Sequence, residues 1–185
     1  MNSPRTRVHA LGERRRHRAA ARAVLRLLPE PESWLDVGTG DGRFPGTAKE
    51  YFPYTSFDGV DPSPRVLRAR ASERVEEAYA GDLTDPRLLA VLRARYDVVS
   101  LLRDRSQAPD PDTELRAALA VLRPGGLLLV ESPHPRPPAL RDCALIAVSR
   151  RLGDRFPPVH LVLARKAPEP PRATPTPRPG TPWLY

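Results

Sequence analysis

The sequence has almost no cysteine, almost no lysine and no long run of apolar residues. Its single cysteine, Cys143, excludes an internal disulfide framework. No apolar stretch approaches the roughly 18 residues that a membrane span requires, and the N-terminus lacks the uninterrupted apolar segment of a secretory signal. We therefore expect a cytoplasmic protein that does not contact a membrane.

Positive charge is abundant, but it is confined to the two ends of the chain. The net charge is +8, and all but two of the 30 basic residues are arginine. Residues 1–33 carry a net charge of +5 and residues 165–185 a net charge of +3, whereas residues 34–164 hold 18 basic and 18 acidic side chains. A neutral central region does not favour a phosphate-binding surface, so nucleic acid stays an alternative partner only through the arginine-rich N-terminus.

The length and composition predict one folded domain with two appendages. A chain of 185 residues with 40% hydrophobic residues can bury one core without a metal or a disulfide. Residues 14–28 repeat apolar side chains at three- and four-residue spacing, which predicts an amphipathic helix within a basic N-terminal segment and connector, residues 1–33. Seven of the sixteen residues from 167 to 182 are proline, so we expect residues 34–166 to form the domain and residues 167–185 to be a disordered tail.

Strand and helix patterns alternate along the central region. Strand patterns occupy residues 34–37, 56–60, 79–80, 97–102 and 127–131, and helical patterns lie between them at residues 43–52, 64–77, 86–95 and 112–122. This alternation is typical of an α/β fold with a parallel sheet and helices on both faces. Polar clustering predicts one more helix at residues 139–152 before a last strand at residues 159–165, which leaves a shortened C-terminal layer.

A glycine-rich turn follows the first predicted strand. Asp36 precedes Gly38, Gly40 and Gly42, and a predicted helix begins directly after them. Glycine at such positions lets the backbone turn tightly and approach a ligand closely. A dinucleotide site would need Gly-x-Gly-x-x-Gly, but position 43 is arginine, and a carboxylate beside the turn would repel a pyrophosphate and favour an ammonium group. The motif therefore argues against an NAD-linked reductase.

The segment Asp36-Val37-Gly38-x-Gly40-x-Gly42 resembles motif I of the class I S-adenosylmethionine-dependent methyltransferases, which have a Rossmann-like fold. The resemblance continues in order through residues 34–131. In that family an acidic residue ending the second strand binds both ribose hydroxyls, and another after the third strand lies near the adenine amino group. The matching residues are Asp61 and Asp82. The resemblance implies S-adenosylmethionine as cofactor, bound by Asp36, Gly38, Gly40, Gly42, Asp61 and Asp82.

Each of these residues also has an ordinary structural interpretation. The glycines serve equally in a simple turn, Asp61 precedes proline and can start a turn, and Asp82 can cap the next helix. Trp34 is interpreted as a core residue. For catalysis the first candidate is His134, just past the fifth strand, although a loop histidine is more often a surface group, and His9, His17 and His160 are weaker candidates. No acidic and asparagine set has metal-ligand spacing, so no metal is expected.

The sequence leaves three functions open. The first, and our prediction, is an enzyme that methylates a small molecule by in-line transfer, with the N-terminal helix folded over the cofactor pocket. The second is a non-catalytic or partner-dependent S-adenosylmethionine-binding module, suggested by the shortened C-terminal layer and by the lack of histidine in residues 102–107. The third is a nucleic-acid methyltransferase guided by the basic ends.

Overall fold

The computed structural model describes residues 4–102, 110–151 and 159–168. Within these ranges seven strands form one sheet in the order β3-β2-β1-β4-β5-β7-β6. Neighbouring strands from β3 to β5 run parallel, and β7 lies antiparallel between β5 and β6. The strands are β1 (Ser33–Val37), β2 (Ser56–Asp61), β3 (Ala78–Ala80), β4 (Tyr96–Leu101), β5 (Leu122–Ser132), β6 (Ala144–Arg151) and β7 (Val159–Arg165). The predicted α/β class, a Rossmann-like sheet with helices on both faces, is confirmed.

The helices are α1 (Pro4–Leu25), α2 (Arg43–Ala48), α3 (Arg65–Ala71), α4 (Pro86–Leu92) and α5 (Pro111–Val121). Helices α2 to α4 are shorter than predicted. Helix α3 ends because Glu73 adopts a φ of 56°, a left-handed conformation that a helix cannot continue through. Asp85 and Asp110 are the N-cap residues of α4 and α5. The Asp85 carboxylate accepts a hydrogen bond from one backbone N–H of the first turn, and the Asp110 carboxylate accepts hydrogen bonds from two. No helix in the described ranges has the length and apolar character that crossing a membrane demands.

Two apolar layers enclose the sheet. On one face, Val99, Leu128 and Val130 pack with residues of α4, α5 and a 3₁₀ turn at Pro138–Leu140. On the other face, Trp34 and Phe57 pack with residues of α1, α2 and α3. Trp34 is fully buried, as predicted. Because parallel strands are covered on both faces, their side chains form near-continuous apolar runs, which explains why the sequence pattern located them.

The prediction of a helix at residues 139–152 is wrong. These residues form the 3₁₀ turn at Pro138–Leu140 and then β6, which pairs only with β7 among the described strands. Most side chains of β6 from Ala144 to Ser149 are exposed, because an edge strand is covered on neither face here. Its polar residues therefore cluster without the strict alternation of a half-buried strand. Strands β6 and β7 form an antiparallel pair, and the connection from β5 to β6 contains the 3₁₀ turn.

Helix α1 belongs to the core as well as to the surface. Ala20, Ala21 and Val24 are buried in the same apolar layer as Trp34. On the exposed side, Arg14 and Arg18 both donate to the carboxylate of Glu50, at 2.7 and 3.1 Å. The predicted helix of residues 14–28 thus exists, with bounds shifted towards the N-terminus. The proline-rich tail predicted for residues 167–185 lies outside the described residues from position 169 onward.

Candidate active site

A cleft of about 240 Å³ opens at the carboxyl ends of β1 and β4. Ligands of open α/β sheets bind at this edge, where the strand order reverses. In the order observed here, the reversal lies between β1 and β4. The residues that line the cleft come from α1, the glycine turn, α2 and the ends of the strands: Glu13, His17, Asp36, Val37, Gly38, Thr39, Gly40, Asp41, Arg43, Phe44, Arg65 and Leu102.

The glycine turn forms the floor of this cleft. Gly38, Gly40 and Gly42 have φ values of 72°, 53° and 72°, which L-residues adopt only with strain. The turn is tied to the end of β2, because the N–H of Gly38 donates to the Val60 carbonyl oxygen at 2.8 Å. The N–H of Gly40 donates to Oδ2 of Asp61 at 2.9 Å. The backbone is thereby held in a fixed curve around the open space.

Gly40 and Gly42 lack a side chain for different reasons. A Cβ on Gly42 would lie 2.9 Å from the Cβ atoms of both Ala69 in α3 and Arg74 just after α3, so the packing of α3 and of the segment that follows it excludes a side chain. A Cβ on Gly40 would meet nothing closer than the guanidinium of Arg65, at 3.8 Å. Gly42 is therefore required by the fold, whereas Gly40 leaves space on the cleft side that a side chain would occupy.

Asp36 lies at the end of β1 and is 4% exposed. Its register partner on β4 is Ser100, whose hydroxyl donates to Oδ1 of Asp36 at 2.6 Å. Burial raises the pKa of Asp36 to about 7, although the hydrogen bond from Ser100 opposes the shift. No salt bridge to Asp36 occurs among the described residues within 4 Å. A buried carboxylate that lines a cleft without a cationic partner favours a ligand that supplies the cation.

Asp61 ends β2 and is 7% exposed, behind the glycine turn and outside the set of residues that line the cleft. It accepts hydrogen bonds from the Gly40 N–H and from both the N–H and the hydroxyl of Ser63. Burial opposes ionisation of Asp61, but the hydrogen bonds from Ser63 and Gly40 outweigh it and hold the pKa of this carboxyl below its ordinary value. Asp61 is therefore a charged group beside the cleft.

The other two predicted site residues lie away from the cleft. Asp82 is exposed after β3, and its Oδ1 accepts hydrogen bonds from the N–H and the hydroxyl of Thr84. His134 is exposed past the end of β5, and its backbone N–H donates to the hydroxyl of Ser132. In this conformation neither side chain lines the cleft. Within the described residues, no three His, Cys, Asp or Glu side chains group as a metal site would require.

The sequence predicted the N-terminal helix over the pocket but did not identify which of its side chains line the cleft. Glu13 and His17 line the cleft from above, and Glu13 accepts a hydrogen bond from Arg43 at 2.8 Å. The ring of His17 packs edge-on against Phe44, with the ring centroids 5.5 Å apart. These residues lie more than twenty positions before the glycine turn, so no local motif connects them to it. Glu13 and His17 are four residues apart, a spacing that places both side chains on one face of a helix. This spacing was the available signal in the sequence.

The chain matches known proteins at two levels. Residues 12–161 match the sequence profile of a family described as "Methyltransferase domain". No curated protein sequence matches the chain significantly. Among solved structures, the N-methyltransferase NodS from Bradyrhizobium japonicum WM9 is 17% identical with a TM-score of 0.65, covering 85% of this chain and 97% of that chain.

Two further solved structures share the fold over most of their length. A 1,6-didemethyltoxoflavin-N1-methyltransferase from Burkholderia thailandensis, with 1,6-didemethyltoxoflavin and S-adenosylhomocysteine bound, is 19% identical with a TM-score of 0.65, covering 90% of this chain and 92% of that chain. A magnesium protoporphyrin IX methyltransferase from Synechocystis PCC 6803, with S-adenosylhomocysteine bound, is 13% identical with a TM-score of 0.68, covering 90% of this chain and 89% of that chain. At these identities the structures establish a shared fold.

Proposed function

This chain belongs to the class I S-adenosylmethionine-dependent methyltransferase family, and we propose that it methylates a small molecule in the cleft between the glycine turn and α1. The observation that carries the proposal is the pairing of two features at one edge of the sheet. A glycine turn curves around open space, and the carboxylate of Asp36 faces this space without a cationic partner among the described residues.

The residues of the cleft fit this cofactor chemically. The methionine portion of S-adenosylmethionine carries an ammonium group, for which Asp36 is a suitable acceptor. The cofactor also carries two ribose hydroxyls. The carboxylate of Asp61 already accepts two hydrogen bonds at Oδ1 and one at Oδ2, so one lone pair of Oδ2 is left to accept from a ribose hydroxyl. Gly40 leaves room for close approach, since nothing but the Arg65 side chain lies within 4 Å of where its Cβ would be. We assign ammonium binding to Asp36 and ribose binding to Asp61.

When bound, the cofactor supplies an activated methyl group, so the protein's main tasks are alignment and exclusion of water. The glycine turn and Asp36 hold one end of the cleft, and Leu102 at the end of β4 lines another part of it. Helix α1 covers the cleft with Glu13 and His17. An acceptor that loses a proton on methylation would need a base, and His17 is better placed for that role than the predicted His134, which lies outside the cleft.

Two features support a small acceptor, namely the size of the cleft and the contacts that the arginines of α1 make within the protein itself. The cleft has a volume of about 240 Å³ and is lined on one side by Glu13 and His17 of α1. Arg14 and Arg18 are paired with Glu50, and the guanidinium of Arg22 lies 5.6 Å from the centre of the Tyr51 ring. Arginines that dock a helix onto its own domain are less available to phosphates. The three solved structures named above are methyltransferases, and the named molecule bound in the Burkholderia enzyme is small.

The Asp61→Ala substitution tests ribose binding. We expect it to weaken binding of S-adenosylhomocysteine by about 1 to 3 kcal/mol, because the hydroxyls lose a charged acceptor. Titration calorimetry measures the change. Methylthioadenosine, which keeps the ribose but has no amino acid, should lose a similar amount. An affinity unchanged for both ligands in a folded variant would remove Asp61 from the site.

The Gly40→Ala substitution tests whether the space beside Gly40 is cofactor space. Since its φ is 53° and its Cβ would contact only Arg65 at 3.8 Å, we expect a stability loss of about 1 to 2 kcal/mol from backbone strain. The free energy of cofactor binding should fall by more than the free energy of unfolding, because the new methyl group would enter the cleft. Calorimetry and urea unfolding on the same sample separate the two effects. Equal affinity to wild type would show that the ligand does not approach Gly40.

The class of acceptor is tested by following a labelled methyl group. Purified protein is incubated with methyl-labelled S-adenosylmethionine and a cell extract, which is then divided into small-molecule, nucleic-acid and protein fractions. We expect label in the small-molecule fraction, and much less label there when Asp36→Asn protein is used. Label in nucleic acid would overturn the proposed acceptor class. Cofactor binding without label in any fraction would favour the non-catalytic alternative.

A further inference from the structure

A buried hydrogen-bond chain connects the core to the cleft. The indole Nε1 of Trp34 donates to the hydroxyl oxygen of Ser100 at 2.9 Å, and this hydroxyl donates to Oδ1 of Asp36 at 2.6 Å. Trp34 and Ser100 are both fully buried. The three side chains share one face of the sheet, because Asp36 and Ser100 are register partners and Trp34 is two residues before Asp36 on β1.

The direction of each hydrogen bond is determined by the groups involved. The indole N–H is only a donor, so the Ser100 oxygen must accept from it. The single hydroxyl hydrogen of Ser100 is then left for the carboxylate of Asp36. Trp34 itself is held by neighbouring rings, with its ring centroid 5.2 to 5.6 Å from those of Phe44, Phe52 and Phe57. The core therefore presents a fixed donor to one oxygen of Asp36.

We propose that Ser100 is a positioning residue, which holds the Asp36 carboxylate ionised and oriented for the ammonium group of the cofactor, while Trp34 fixes the direction of the Ser100 hydroxyl. This proposal rests on the proposed function, because it assigns the ammonium group to Asp36. Among the described residues, the charged and titratable side chains that line the cleft with Asp36 are Glu13 and His17 of α1, Asp41 of the glycine turn, Arg43 of α2 and Arg65 of α3, and the charge of Asp61 of β2 also acts on Asp36.

The balance among these groups makes the Ser100 hydroxyl decisive. Burial and the charge of Asp61 both disfavour ionisation of Asp36, whereas the hydroxyl of Ser100 and, to a smaller extent, that of Thr39 favour it. With both hydroxyls present, burial still raises the pKa of Asp36 to about 7. Arg43 does not neutralise this charge directly, since its guanidinium is paired with Glu13. Without the hydroxyl, the carboxylate would lose a charge-assisted hydrogen bond in a buried position. It would then be protonated over most of the neutral range.

The first test measures the pH dependence of S-adenosylhomocysteine binding by calorimetry. In wild type we expect affinity to rise with pH, with a midpoint near 7, as Asp36 ionises. In Ser100→Ala the midpoint should move up by about one to two pH units, and affinity at pH 7 should fall roughly tenfold. Ser100→Thr keeps the hydroxyl and should restore the wild-type midpoint. A uniform loss of affinity at every pH, with no shift of the midpoint, would indicate a merely structural role and overturn the proposal.

Methylthioadenosine provides the control for this titration. It lacks the ammonium group, so Ser100→Ala should leave the pH dependence of its binding unchanged. The same midpoint shift for both ligands would contradict the assignment of Ser100 to the ammonium site. If wild type bound neither ligand, the proposed function itself would fail.

The hydrogen-bond chain can also be observed in wild-type protein without any ligand. The indole N–H resonance of Trp34, assigned by its loss in Trp34→Phe, should shift with pH with the same midpoint, near 7, because Ser100 connects it to Asp36. Asp36→Asn should abolish the shift. An indole resonance that does not respond to pH between 5 and 9, the range of about two units on either side of the midpoint, would overturn the proposed connection even if Ser100→Ala did not fold.

Discussion

Replacing Asp36 by asparagine should nearly abolish cofactor binding while making the folded protein more stable at and above neutral pH. The ammonium group of the ligand loses its charged acceptor, so we expect S-adenosylhomocysteine to bind about 10- to 150-fold more weakly, which corresponds to about 1.5 to 3 kcal/mol. Calorimetry measures the affinity. Methylthioadenosine should bind as it does to wild type, in contrast to its weaker binding to Asp61→Ala. A similar loss for both ligands would indicate a disturbed turn and would count against the assignment.

The gain in stability follows from the direction of the pKa shift. Burial raises the pKa of Asp36 to about 7 in the folded protein, whereas in the unfolded chain this carboxyl titrates near its ordinary value of about 4. Between these values the folded state binds the proton more tightly, so the contribution of Asp36 to stability falls as pH rises from about 4 to about 7. Asparagine carries no charge to bury. The melting temperature of Asp36→Asn should therefore exceed that of wild type at pH 8 and match it more closely at pH 4.

The Gly42→Ala substitution should be the most damaging single change to stability in the glycine turn. An alanine there would adopt a φ of 72°, and its Cβ would lie 2.9 Å from the Cβ atoms of Ala69 and Arg74. Left-handed strain of about 1 to 2 kcal/mol and overpacking of about 1 to 3 kcal/mol give an expected loss of about 2 to 5 kcal/mol. Urea unfolding followed by circular dichroism measures this loss.

Gly125→Ala is a matched control for this substitution. Gly125 has a similar φ of 79°, but nothing lies within 4 Å of where its Cβ would be. We expect it to lose only the strain contribution, about 1 to 2 kcal/mol. The difference between the two variants isolates the clash with α3. Equal losses would mean that α3 moves aside, and that Gly42 is required for its backbone conformation alone.

The sequence predicted the buried strands well because their environment leaves a clear pattern. Strands β1, β2 and β4 are covered on both faces, so each reads as a short apolar run ending in glycine, proline or a polar residue. Strand β6 has no such environment. Its residues are largely exposed at the sheet edge, and a cluster of polar residues there has no preferred period. The error in this strand reflects the absence of burial, which is the physical source of periodicity.

The candidate site was predictable where it depends on local sequence. Asp36 and the glycines of the turn follow directly from a strand that ends at the edge of the sheet. The structure places Asp36, Gly38 and Gly40 in the lining of the cleft, whereas the predicted Gly42 lies outside it. Whether they bind the cofactor stays a prediction. Ser100 and His17 depend on contacts between segments far apart in the chain, since Ser100 lies 64 residues from Asp36. A serine within the apolar second half of β4 was the only signal in the sequence for the hydrogen-bond chain.

The turns of helix α1 differ in how well they should tolerate substitution. Its later turns hold Ala20, Ala21 and Val24 in the core, where a larger side chain would be costly to accommodate. One turn earlier, Glu13 and His17 are partly exposed and face the cleft. Exchanges at these two positions can therefore alter the shape and charge offered to an acceptor without rebuilding the sheet. Under the proposed function, we expect a library confined to residues 13 and 17 to change which acceptors bind while the fold stays intact.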